Sequence, residues 1–365
     1  MTSHRNLPQD DPDEAFGLPS PYDPDPEAGD TAWFLPDLPD DDPADQPGPR
    51  ADRRILVDAG EWRLAEAAQA AELARAAAEL GRLDMMTEHL GEGAVTRLAL
   101  IEAEAMAWAE GTRLRREEIG RDLMARATDP RLHTDLARAR WALRRLEQRP
   151  APPGGLRDFL GLHEADPDTV SAVPDDFRRR LAGAEFSAAA ADFGLGLAEL
   201  DDAHPLTRAA FAYRLWPLCS LSASGVVTEP ATAASRIAAS ENRMIGFAPC
   251  ATARQVWNSG GNAEERLRRW IVSVRSGALA AMLDLRRLDS WAVSARATTA
   301  GIKGRTPARL IDALISRPLL STEDAALTTG ISRDSAERML ARMLDAGVVR
   351  EITGQSRFRL WTAAT

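Results

Sequence analysis

The last sixty positions constrain the fold most. Between Thr306 and Trp361 the apolar spacing changes period: three short helical runs come first, and two strand-like runs follow. Thr306 is placed to cap the first helix, with Pro307 at its first helical position. Leu310, Ile311, Leu314 and Ile315 line one face, and Pro318 ends the run. Ser321 opens a second helix with Asp324 as its capping-box partner, and Ala325, Ala326 and Leu327 are expected inside. Gly330 supplies a turn, Ile331 points inward and Ser332 caps the third helix.

That third helix is expected over 332–346. Ala336, Met339, Leu340, Met343 and Leu344 form its expected buried stripe, and Gly347 stops it. Arg333, Asp334, Ser335, Glu337, Arg338 and Arg342 are left facing outward. Val348 to Ile352 and Arg357 to Trp361 read as two strands around a turn at 353–356. Arg357, Arg359 and Trp361 are expected on one face, Phe358 and Leu360 on the other. Three helices and a hairpin are the element order of a winged helix-turn-helix. Gly330-Ile331-Ser332-Arg333, with Met339-Leu340 and Ala346-Gly347-Val348-Val349, resembles the turn and recognition helix of bacterial winged modules. The resemblance implies a double-stranded DNA partner. Ser332, Arg333, Ser335, Arg338 and Arg342 would meet the major groove, where Arg pairs bidentately with guanine. Gln355 and Arg357 in the wing, with Lys303 and Arg305 on the flank, would meet phosphates. The alternative reading is a protein-interaction scaffold that uses the same module for docking.

Charge is uneven along the chain. Residues 1–50 hold thirteen acidic groups against Arg5 and Arg50, a balance of −11, so the rest of this −10 chain is +1. Residues 301–365 hold ten basic and seven acidic groups, a mildly basic +3. The Pro- and Asp-rich residues 1–52 are expected to form a disordered acidic tail. Its apolar cluster Trp33-Phe34-Leu35 with Leu38 is its one candidate docking element. Cys219 and Cys250, without Cys-x-x-Cys spacing, fit a reduced cytoplasmic protein and exclude a zinc ribbon. No secretory signal and no membrane-length apolar run is seen.

The remainder reads as mainly α, in two helical regions. Residues 53–148 hold a helix over 61–80 broken by Gly81, a loop at Gly91-Glu92-Gly93, a helix over 94–110 and another over 114–127. The second of these carries Leu98, Ile101, Ala105 and Trp108 at helical spacing. Asp129-Pro130 opens a long helix with a seam of Leu132, Leu136, Ala139, Leu143 and Leu146. Arg131, Arg138 and Arg145 form a stripe with Arg140 and Arg144 nearby, read as a solvated or salt-bridged face. A Pro- and Gly-rich linker covers 149–155. Residues 156–300 hold an Ala-rich helix pair over 177–200 broken near Gly194 and Gly196, helices over 207–221 and 232–245, and a loop at 258–262. A long helix over 263–288 follows, whose seam serves either as core, the preferred reading, or as a dimer contact. Residues 297–304 link it to the winged module at 301–365.

Taken together, the chain resembles a bacterial family of uncharacterised, often plasmid-borne proteins that pair a helical domain of unknown function with a C-terminal helix-turn-helix domain. The carrying residues are Ala107-Trp108-Ala109-Glu110-Gly111 before Glu117-Glu118-Ile119, and His133-Thr134-Asp135-Leu136 within the helix that follows Asp129. At the other end they are Pro318-Leu319-Leu320-Ser321 and the stretch from Arg350 to Arg359. This implies a sequence-specific DNA-binding protein of the transcription-regulator kind. A homodimer is the arrangement such modules use on paired half-sites. The layout also distantly resembles Fic-type nucleotidyl transferases, with Ala109-Glu110-Gly111 echoing their helix signature. Their catalysis needs a His followed by a Gly-Asn-Gly-Arg anion cradle, whereas His204-Pro205 leads into Leu206-Thr207-Arg208. A degenerate transferase is thus the third reading. The five histidines lack metal-ligand spacing, and no phosphate-binding Gly loop, dinucleotide fingerprint or nucleophile elbow occurs. No enzyme activity, metal or cofactor is expected.

Overall fold

The computed structural model describes residues 57–124, 129–148, 155–162, 180–181, 183–250, 254–257, 260–353 and 359–365. The expected acidic tail and most of the 149–155 linker lie outside them. The described chain is mainly helical.

Helices α1 (Ala59–Ala68) and α2 (Ala70–Leu90) replace the single expected helix over 61–80. The chain breaks at Gln69, whose N–H bonds back to the carbonyls of Ala65 and Glu66. Gly81 stays helical, because buried Leu80 and Leu83 on either side hold the turn against the core. Helix α3 (Glu92–Ala109) starts at once after Gly91, whose φ of 81° ends α2. Gly93 is therefore helical rather than part of a loop. Trp108, expected inside, is 48% exposed, with its indole N–H donated to the Leu114 carbonyl at 2.7 Å.

Helix α4 (Arg116–Leu123) is followed, beyond four undescribed residues, by a 3-10 turn at Pro130–Leu132 and α5 (His133–Leu146). Leu136, Ala139, Leu143 and Leu146 are buried as the seam requires. Three of the stripe's arginines are paired within the molecule. Arg138 lies 3.7 Å from both Glu110 and Asp135, Arg140 3.1 Å from Asp122, and Arg145 donates to the Phe159 carbonyl at 2.6 Å.

Next come α6 (Leu156–Leu160), α7 (Gly183–Ala198), α8 (Pro205–Leu218) and α9 (Thr228–Ala238). Helix α7 runs unbroken through Gly194 and Gly196. A Cβ at Gly196 would meet Leu215 at 2.7 Å, so the glycine permits a close helix pair instead of ending a helix.

Helix α10 (Ala263–Thr299) is 37 residues long, with an Asn262/Glu265 capping box. It outruns its expected end at 288 and takes the start of the expected 297–304 link into the helix. Its first part, through Leu285, belongs to a core that runs from Val57 and draws on both helical regions, so that core crosses the 149–155 boundary. Its last part, Leu288, Trp291, Ala292 and Ala295, belongs to a second core shared with the C-terminal elements.

Those elements are α11 (Thr306–Ser316), β1 (Leu320–Ser321), α12 (Thr322–Thr329), α13 (Arg333–Asp345), β2 (Val349–Glu351) and β3 (Leu360–Ala363). The sheet is antiparallel in the order β1-β3-β2, with Leu320 opposite Trp361 and Val349 opposite Ala363. Strand β1 was not expected, being only two residues long. It makes β3 a central strand, in which Leu360 and Trp361, on opposite faces, are both buried. Trp361 is fully buried, its indole N–H donated to Thr322 Oγ1 at 3.1 Å. Thr306 is the first helical residue rather than the cap, which falls on Arg305. Leu327 is 76% exposed, because the eight-residue α12 buries Ala325 and Thr329 and position 327 lies on the opposite side. Leu344 is also exposed, since the buried stripe of α13 ends at Met343.

Among the described residues, several contacts tie the C-terminal elements to the larger core. Arg97 donates to the Leu314 carbonyl at 2.8 Å, and Gly120 lies against Leu319. Gly93 lies against the backbone of Ile315 and Ser316. Among the described residues no helix is long and apolar enough to cross a membrane.

Candidate nucleic-acid interface

The turn between α12 and α13 is built by local chemistry. Ser321 accepts from the Asp324 N–H at 3.0 Å while Asp324 accepts from the Ser321 N–H at 3.2 Å. Gly330 takes the left-handed conformation, with φ 65°, that closes α12. The Ile331 N–H then bonds to the Ala326 carbonyl at 3.2 Å, and the Ser332 side chain accepts from the Ser335 N–H at 3.3 Å. Ala336, Leu340 and Met343 anchor α13 on the second core.

The opposite side of α13 carries the expected contact residues. Arg333, Arg338 and Arg342 are exposed, and Ser335 is half-buried. Arg338 leans back along its own helix, 3.3 Å from the Asp334 carbonyl and 3.4 Å from Ser335 Oγ. Ser332 is exposed, but its hydroxyl is occupied as a cap and bonds to Ser335 Oγ at 2.9 Å. It positions the helix more than it reaches outward. Lys303 and Arg305 are exposed in the stretch between α10 and α11. Gln355 and Arg357 lie outside the described residues.

Two features of this surface were missed in the sequence. Arg309, on the exposed side of α11, donates to the Thr329 carbonyl at 2.8 Å and so stands beside the turn between α12 and α13. The spacing of α11 marks Arg309 as outward but not as a neighbour of α12. The second feature is charge balance. Helix α13 holds Arg333, Arg338 and Arg342 against Asp334, Glu337 and Asp345, three against three. Glu337 also lies 3.9 Å from Arg359 across to the start of β3.

No family model and no curated protein matches this chain.

The other candidate chemistry of the sequence has a structural use. His204 caps α8, accepting at Nδ1 from the Leu206 N–H at 3.1 Å, while its own backbone N–H bonds to Glu66 at 3.0 Å. Glu110, from the Ala109-Glu110-Gly111 echo, accepts from the N–H groups of Val227 and Thr228 at 2.8 and 2.6 Å, capping α9. Both residues are committed to helix starts. Among the described residues no three His, Cys, Asp or Glu side chains converge as a metal site would need.

Proposed function

We propose that residues 301–365, packed on the end of α10, form a winged helix-turn-helix that binds double-stranded DNA, with α13 in the major groove. One observation carries this reading: α13 is anchored by a buried apolar stripe, and its arginines stand exposed on the other side. A helix presented in this way has the diameter of a major groove and donors suited to guanine. The sequence-specific, regulator-like role follows from base contacts by Arg333, Arg338 and Arg342, helped by Ser335. Lys303, Arg305 and Arg309 supply backbone contacts that fix register.

Selecting bound duplexes from a random pool with the full chain tests the proposal. A consensus should emerge, and Arg338→Ala should cost about 1–3 kcal/mol on it if that residue reads a base. Absence of any enriched sequence, with no salt-dependent duplex binding, rejects it.

The charge balance of α13, together with the exposed Leu327 on α12 and Leu344 on α13, supports a second reading. In that reading the same face docks on a protein. Salt-insensitive capture of a protein partner, lost on Leu327→Asp, would favour it over DNA.

A further inference from the structure

Far from α13 in sequence, a cavity of about 460 Å³ opens between the C-terminal half of α8, the 220–227 loop and the first turns of α10. Its walls are aromatic. Tyr213 stands 5.3 Å from Trp257 and 5.9 Å from Trp270 between ring centroids, tilted by 49° and 35°. Its charge has one sign: Arg214, Arg266 and Arg269 line it, and among its described lining residues there is no carboxylate. Gathering three guanidinium groups around a partly desolvated space works against folding unless something else is gained. Burial and the neighbouring charges of Arg214 and Arg269 pull the Arg266 guanidinium below its usual pKa, against a smaller opposing pull from Glu265.

Three N–H donors beside the site are sealed from solvent. Arg214 Nε and the indole N–H groups of Trp257 and Trp270 are buried without a hydrogen-bond partner among the described residues. The rim is preset. Trp216 donates its indole N–H to Ser222 Oγ at 2.7 Å; the Ser222 hydroxyl donates to Glu229, which Arg180 grips from the other side. Gly225 (φ 84°) and Ser220 (φ 55°) both hold left-handed backbone, and for the serine this is a strained state of the sort found at ligand sites. The amides at the start of α9 are already taken by Glu110. An anion here must therefore be met by the arginines.

We propose that this cavity binds a small planar aromatic anion, its ring among Tyr213, Trp257 and Trp270 and its oxyanion head on Arg214, Arg266 and Arg269. The volume suits one drug-sized molecule, and guanidinium groups clasp carboxylate or phosphate in pairs of hydrogen bonds. This inference does not rest on DNA binding.

The test uses the full chain, tryptophan fluorescence and thermal shift, with four probes: indole-3-acetate, adenosine monophosphate, indole and inorganic phosphate. A response to the first indicates a carboxylate ligand, and to the second a nucleotide. One of these two should quench saturably and raise Tm. Indole and phosphate should bind at least tenfold more weakly, because each supplies only half of the ligand. Arg266→Gln should cut affinity for the better probe at least tenfold, with Arg214→Met read in its place if the first variant does not fold. The proposal is overturned if neither aromatic anion binds more tightly than indole or phosphate. It is also overturned if the folded arginine variant binds as tightly as the parent.

Discussion

The indole N–H of Trp291 donates to the carbonyl oxygen of Val348 at 2.7 Å. This bond joins the last turns of α10 to the entry of β2, across 57 residues of chain. Trp291 is 7% exposed and packs in the same core as Leu310, Leu340 and Trp361. The end of α10 therefore completes the core of the C-terminal elements. Trp291→Ala should destabilise them by about 3–5 kcal/mol, as expected for truncating a buried aromatic. Native-state hydrogen exchange would read this as faster exchange in α11, α13 and β3. Unchanged protection there would show that α10 is dispensable to the module.

Gly93 and Gly81 make an opposed pair. A Cβ on Gly93 would sit 2.5 Å from the Ile315 carbonyl oxygen and from Ser316 backbone atoms, a clash with main chain rather than with a movable side chain. Gly93→Ala should cost about 2 kcal/mol through displacement of α3 from α11. Gly81 is exposed in mid-helix, and a Cβ there would have nothing within 4 Å, so Gly81→Ala should gain about 0.5–1 kcal/mol. Denaturant midpoints of the two variants should move in opposite directions. A shift in the same direction would mean that the close approach of α3 and α11 is not maintained in solution.

These glycines also show what was legible in the sequence and why the rest was not. Three helix-end signatures read correctly, Ser321 with Asp324, Ser332 before α13 and Gly330 after α12, whereas the cap expected at Thr306 falls one residue earlier. Their chemistry is local, within four residues. Glycines inside helices misread, because Gly93 and Gly196 answer to Ser316 and Leu215, far away in the chain. Strand β1 escaped notice for the same reason, since only its pairing with Trp361 and Leu360 makes two residues a strand. At the candidate interface, the outward arginines of α13 were legible from periodicity. The place of Arg309 beside Thr329, and the cavity around Arg214 and Arg266, depend on tertiary contacts that no spacing encodes.

Asp84 is 7% exposed and its carboxylate accepts from three successive backbone N–H groups, Arg243 at 2.8 Å and Met244 and Ile245 at 2.9 Å. It fixes the segment that carries Phe247 and Ala248 into the main core. Asp84→Ala leaves all three donors without that acceptor and should cost roughly 3 kcal/mol or more. Asp84→Asn keeps one acceptor oxygen and should lose distinctly less. Equal losses in urea unfolding would mean that the three bonds act only through packing at position 84.

Lys303 and Arg305 are exposed in the approach to α11. If they serve the proposed DNA contact, replacing either with Ala should weaken binding about equally for cognate and scrambled duplexes. The slope of log K against log salt should then fall in magnitude by about one per residue. Loss confined to the cognate sequence would reassign that residue to base reading, and an unchanged slope would remove it from the interface.

Cys250 gives a pH prediction with a definite sign. It is fully buried, and burial together with the Glu102 carboxylate pushes its thiol well above the usual value of about 9. Glu102, itself 1% exposed, accepts the Cys250 backbone N–H at 2.7 Å, so the negative charge is fixed beside the sulfur. A thiol with a raised folded-state pKa keeps its proton in the fold when the unfolded chain has lost it. Its contribution is thus fully present below about pH 9 and is lost as pH rises from there toward the folded value. Urea unfolding should show stability falling as pH rises above about 9, with a shallower fall in Cys250→Ala. The native thiol should also resist alkylation at about pH 8.5, reacting at a rate set by unfolding, since the thiolate is the reactive form. Rapid labelling of Cys250 in the folded protein, or identical pH slopes for parent and variant, would contradict this account of the site.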